Sequence, residues 1–155
     1  MILIFKKIYR FFLSIKSIIL INLKIRIKKI FKKKYKVIFF YFPVKAYQDN
    51  IIELIEEIKK IESSSIILGF NAGSSKEIKK FSNSYFLNLG YLKYITDIDI
   101  FLSSYVIYNY PKAKNKIYIN HDIYDTPMVN NEQENDLMKT LNKCNYIFLS
   151  SEISV

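Results

Sequence analysis

The chain has 155 residues, half of them hydrophobic and 16% aromatic, with 24 Lys and Arg against 14 Asp and Glu and a net charge of +10. That length gives one domain with a real core, and that apolar content excludes general disorder. The lone cysteine, Cys144, excludes an internal disulfide and a cysteine-based zinc site, and reads as a buried small hydrophobe.

The charge is uneven. Residues 1–36 hold twelve Lys and Arg and no acid, so the rest of the chain is close to neutral. This leader carries too many charges for a clean transmembrane helix and has no signal-peptide cleavage pattern. Lys7, Arg10, Ser14, Ser17, Lys24 and Lys28 recur at helical spacing, with Ile21 breaking the stripe, and Ile4, Phe5, Ile8, Phe12, Ile15, Ile19 and Leu23 fall opposite. One cationic and one apolar-aromatic face is the pattern of an interfacial helix, with Lys6, Lys7, Arg10, Lys24 and Lys28 expected at an anionic membrane surface. The alternative is a core or partner-docking helix with a solvated basic face. No DNA- or RNA-binding motif accompanies the basic residues, so nucleic acid is not an expected partner. The run 28–36 is expected to link this helix to the domain, giving a leader over 1–35 and a folded domain over 36–155.

Beyond it, the apolar run 36–43 reads as a buried strand closed by Pro43, and 49–62 has helical apolar spacing with Asp49 or Asn50 as N-cap. Residues 64–73 read as a second strand entering a glycine-bearing loop, and 74–84 as a weaker helix. A short strand at 85–90, a helical turn at 91–97, a strand running into a loop over 99–106, a loop at 109–116, a strand over 116–120, a helix over 130–144 and a strand over 145–151 complete the alternation. The strands are apolar on both faces. The pattern predicts an α/β fold: a Rossmann-like parallel sheet with helices on both faces.

Ligands of such sheets sit at the carboxyl ends of the strands. Polar residues collect at three of these, 69–75, 103–111 and 120–125. The first is neither a dinucleotide fingerprint nor a Walker loop and reads as an ordinary strand-to-helix turn. The third holds His121, the only histidine, followed by Asp122 and Asp125. One histidine is too few for a typical metal site, so no metal is expected. A histidine just past a strand with a carboxylate beside it suits a general base, and from residue types alone a loop histidine bonded to backbone remains the plainer reading.

Residues 97–125, DIDIFLSSYVIYNYPKAKNKIYINHDIYD, resemble the acceptor-domain segment of the CDP-glycerol glycerophosphotransferases, the teichoic-acid polymerase and primase family. There a strand ending in two serines precedes a lysine-rich strand and a His-Gly pair. The resemblance implies the N-terminal, acceptor-side part of a GT-B fold in a peripheral membrane enzyme at the cytoplasmic face, making teichoic acid or another surface polysaccharide. It implies His121 as base on the acceptor hydroxyl, Asp122 or Asp125 as its orienter, and Ser103, Ser104, Tyr105 and Asn120 at the acceptor. Asp122 stands where the family has glycine. The implied donor, CDP-glycerol or another activated nucleotide, would sit on a second domain or partner chain that these residues do not supply, with no cofactor in this chain. The lipid-linked polymer is the implied acceptor. A related nucleotide-sugar glycosyltransferase fragment and a non-catalytic membrane-associated module that docks a partner protein are the alternatives.

Overall fold

The computed structural model describes residues 2–31, 36–44, 49–61, 65–73, 81, 83–105, 107–120 and 139–149. Its centre is β1 (Val37–Val44), in which every side chain from Val37 to Phe42 is buried. A strand apolar on both sides must be covered on both sides, and that selects an interior position in a parallel sheet. β2 (Ser65–Gly73) and β4 (Ile98–Ser103) flank it, β3 (Ser84–Phe86) lies outside β2, and β5 (Ala113–Asn120) and β6 (Tyr146–Leu149) extend the other side. The six-stranded order is β3-β2-β1-β4-β5-β6, and every neighbouring pair is parallel. This is the doubly wound order, with its switch point between β1 and β4.

Helices cover both faces, as the sequence pattern predicts. α1 (Ile2–Phe31) places Ile21 and Ile25 in one core layer with Phe39, Tyr41, Leu92 and Phe101. α2 (Asp49–Ile61) places Ile55 in the opposite layer with Phe40, Phe42, Ile66 and Leu102. The alternation of β1 residues between the layers is the period-2 rule at work. A 3-10 helix, Leu89–Tyr94, follows β3 where a helical turn is expected at 91–97. Through Ile21 and Ile25, α1 contributes to the core of the sheet.

Three strand boundaries stand out against the sequence reading. β3 ends at Phe86 rather than at 90, with Leu89 and Gly90 in the 3-10 helix. β1 runs through Pro43 to Val44, and its register with β2 shifts between Phe42 and Val44. Proline has no N–H to give to the ladder, and the irregularity falls where that donor is missing. β5 begins at Ala113, inside the stretch read as a loop, because pairing with β4 extends it past what local polarity suggests. Within the expected helix at 130–144 the described part is 139–144, helical to 141 and then turning toward β6, and the expected helix at 74–84 lies almost wholly outside the described residues.

Gly69 in β2 leaves room for two core rings. A Cβ there would stand 2.7 Å from Phe39 Cζ and 3.0 Å from Tyr41 Cδ2. Both rings are fully buried and cannot swing away. Gly69→Ala is expected to cost about 1–3 kcal/mol by overpacking, measured by urea unfolding. An unchanged midpoint would show that the two rings relocate freely.

Candidate functional site

The carboxyl edge of the sheet carries the first cluster. Tyr41 of β1 is in register with Ser103 of β4, and Ser103 with Tyr118 of β5. Adjacent parallel strands lie about 4.8 Å apart, so the ends of β4 and β5 form one lip beside the switch point. Ser103 closes a tight turn just past its strand: its hydroxyl donates to the Tyr105 carbonyl (2.9 Å) and accepts from the Tyr105 N–H (3.1 Å). Ser103 and Ser104 are buried, and Tyr105 is exposed at the rim. Of the expected acceptor residues, Ser103 thus shapes the turn and Tyr105 is the one presented outward. β5 continues two residues beyond the Ser103 level, to Asn120, which brings the backbone of Asn120 to the same lip. His121, Asp122 and Asp125 lie outside the described residues, as does the side chain of Asn120. Among the described residues, no three His, Cys, Asp or Glu side chains converge as a metal site would require.

The second surface belongs to α1, and its orientation reverses part of the sequence expectation. The side bearing Ser14, Ser17 and Ile21 faces the sheet. The Ser14 hydroxyl donates to the Arg10 carbonyl (3.0 Å) and accepts from the Asn88 N–H (3.2 Å). Lys24 donates to the Asn83 side-chain carbonyl and to the Tyr85 hydroxyl, and Lys28 to the Ser65 hydroxyl. These two lysines are turned to the protein, whereas Lys6, Lys7 and Arg10 are exposed. Ile4, Phe5, Ile8, Phe12, Ile19 and Leu23 point away from the sheet, with Phe12 62% exposed. This apolar row is uncovered among the described residues, while Ile21 and Ile25 on the other side enter the core. No helix among the described residues is long and apolar enough to cross a membrane.

The amino edge of the sheet carries the third cluster, around Asp99. Its carboxylate accepts from the Val37 N–H (2.9 Å) and pairs with Lys114 Nζ (2.8 Å) and Lys29 Nζ (3.6 Å). Partial burial by itself would raise the Asp99 carboxyl. The Lys114 and Val37 hydrogen bonds and the charges of Lys29 and Lys114 outweigh it and hold the group below its ordinary value of 3.8. Cys144, read as a buried small hydrophobe, is only half-buried, and its thiol donates to the Tyr110 hydroxyl (3.1 Å). Burial pushes the thiol up, with the Tyr110 bond and Lys116 opposing, so it is protonated at neutral pH.

No family model matches the chain, and no curated protein or solved structure matches it either. The site is read from its own residues.

Two contributors escape the sequence reading. Asn22 clamps the turn after the 3-10 helix, donating to the Tyr94 carbonyl (2.9 Å) and accepting from the Thr96 N–H (3.0 Å). Its partners lie more than 70 residues away, so only the tertiary fold reveals it. Lys112, Lys114 and Lys116 gather at the start of β5, and their spacing of two is a signal the sequence does carry.

Asp99 sets a pH dependence. With its folded pKa depressed, its stabilisation is present above about 3.8 and is lost as pH falls through the lower folded value. Asp99→Asn is expected to be less stable at neutral pH and to show a flatter decline below pH 4, followed by urea unfolding at stepped pH. Identical acid limbs in the two proteins would remove Asp99 from the acid response.

Proposed function

We propose that the protein is a membrane-surface α/β domain supplying the acceptor-binding side of a glycerophosphotransferase-like enzyme of teichoic-acid or surface-polysaccharide synthesis. The observation that carries this reading is the shared lip at the switch point, where the Ser103–Tyr105 turn and the end of β5 at Asn120 stand side by side. It is the end of the sheet where doubly wound folds bind ligands, and His121 follows Asn120 directly in the chain. In this reading His121 takes the proton of the acceptor hydroxyl as that oxygen attacks the donor phosphorus, the phosphoanhydride bond from that phosphorus to the nucleotide breaks, and the nucleoside monophosphate (CMP from CDP-glycerol) leaves with the electron pair, while Asp122 or Asp125 orients the imidazole. Tyr105 lines the acceptor's path. The donor, CDP-glycerol or a related activated nucleotide, is held by a donor-binding domain or partner chain.

The exposed row of α1 supports the membrane part. Its apolar residues have no protein cover among the described residues, and Lys6, Lys7 and Arg10 flank its first half, a pairing suited to an anionic bilayer at the cytoplasmic face. A lipid-linked acceptor would then be delivered along the same surface. A second reading, a non-catalytic module that docks a protein, draws on β6, where Tyr146, Ile147 and Phe148 are all exposed on the edge strand.

Deleting α1 would strip Ile21 and Ile25 from the core, so point changes are the cleaner probe. The triple variant Ile8→Glu, Phe12→Glu, Ile19→Glu is expected to stay helical by circular dichroism and to lose co-sedimentation with anionic vesicles. Undiminished co-sedimentation would count against the membrane reading. In membranes that contain the chain with a donor-binding domain, His121→Ala is expected to reduce glycerol-phosphate transfer by at least about a hundredfold, the usual worth of a general base. Full turnover in that variant would take His121 out of the mechanism.

A further inference from the structure

The amino edge of the sheet, opposite the proposed acceptor lip, holds a shallow cleft of ≈ 440 Å³. Lys29, Lys112, Lys114 and Lys116 line it, together with Thr96 and Asp97. We propose that this four-lysine cleft binds the phosphate group of an anionic phospholipid beside α1. The proposal rests on the reading that the outward face of α1 lies on a bilayer, and it adds a headgroup site that the helix alone does not supply.

Three observations carry it. The first is position. Ile98, at the cleft floor, belongs to the core layer beneath α1, and Ala113 packs against that layer. Lys116 is the register partner of Phe101, which lies in the same layer, so it shares that face. Lys29 comes from the last turn of α1 itself. The cleft therefore opens on the side of the sheet that α1 covers.

The second is construction. The cleft wall is fixed before any ligand arrives. Asn22 of α1 holds the Thr96 N–H, the Lys112 N–H donates to the Ile95 carbonyl (2.9 Å), and the Ile98 N–H donates to the Lys112 carbonyl (3.3 Å). Asp99 pairs with both Lys29 and Lys114 and so ties two of the lining side chains to one carboxylate.

The third is charge. Four lysines face two aspartates, Asp97 and Asp99, leaving a local charge of +2. Lys112 and Lys116 line the cleft and, among the described residues, share no ion pair with Asp99. Lys114 is 72% exposed, so water screens the site strongly. A free phosphate gains little from such a site. A headgroup concentrated at the surface on which α1 rests gains much more, because tethering multiplies its effective concentration.

The test uses the full chain and phosphatidylcholine vesicles with and without phosphatidylglycerol. The variant Lys112→Gln with Lys116→Gln is compared with Lys59→Gln with Lys60→Gln, an equal loss of charge on α2, across the sheet. At about 1 kcal/mol per lysine near an anionic surface, the cleft variant is expected to bind the anionic vesicles at least about tenfold more weakly than the α2 variant. Equal binding by the two variants, with wild type still bound, would overturn the cleft and leave the α1 reading intact. Failure of wild type to bind any vesicle would overturn both. A titration with millimolar inorganic phosphate at fixed ionic strength, without lipid, separates the two sources of phosphate. No saturable response is expected. A saturable response that the cleft variant loses would assign the cleft to a soluble phosphate and overturn the lipid assignment.

Discussion

Everything in this fold depends on burying β1 from both sides. Phe39 and Tyr41 need one apolar layer and Phe40 and Phe42 another, and the chain supplies them from α1 and α2. Each buried aromatic or aliphatic side chain contributes about 1.5–3 kcal/mol by leaving water, so the six consecutive buried residues of β1 set the position of the other elements. Once β1 is central, β2 and β4 must run parallel beside it, and the switch point between β1 and β4 follows. The Ser103–Tyr105 turn owes its place at the carboxyl edge of the sheet to this topology rather than to any local motif.

The sequence makes the fold class legible because parallel strands announce themselves as continuous apolar runs separated by helical periods. The run 36–43, the helix at 49–62 and the strand before Ser103 all lie within a residue or two of the observed elements. The outward direction of α1 is less legible. A hydrophobic stripe normally marks the inward face, yet the inward face here is the side with two serines and two lysines. Ile21, the residue that breaks the polar stripe, and Ile25 are what enter the core. Their neighbours Ser14, Lys24 and Lys28 are satisfied by partners 37 to 74 positions away, and no periodicity encodes such pairings. The candidate site was legible in part. The sequence placed Ser103, Ser104 and Tyr105 at a strand end, but not the bond from the Ser103 hydroxyl back to its own turn. The lysine cleft was hidden because its members come from α1 and β5, which only folding brings together.

The two ends of the sheet differ in chemistry. At the carboxyl edge the described groups are hydroxyls and backbone, neutral and partly buried. At the amino edge they are ammonium and carboxylate groups near water, a setting for charge. Asp99 joins the charged end to the core, since its carboxylate receives the first N–H of β1 while neutralising lysines from α1 and β5. The lowered pKa of that carboxyl is the electrostatic trace of this joint.

The polar seam under α1 also has a consequence for how the chain is made. α1 precedes every strand, and the Asn88 and Thr96 groups that bond to it are 74 residues downstream. At ribosomal rates of about 5–20 residues per second, those partners emerge roughly 4–15 s after the residues they will hold. For that interval the helix has no sheet to dock on, and Ile21 and Ile25 stay as uncovered as the outward row. Docking of α1 is therefore a late step, completed only when the chain around Asn88 and Thr96 has been made.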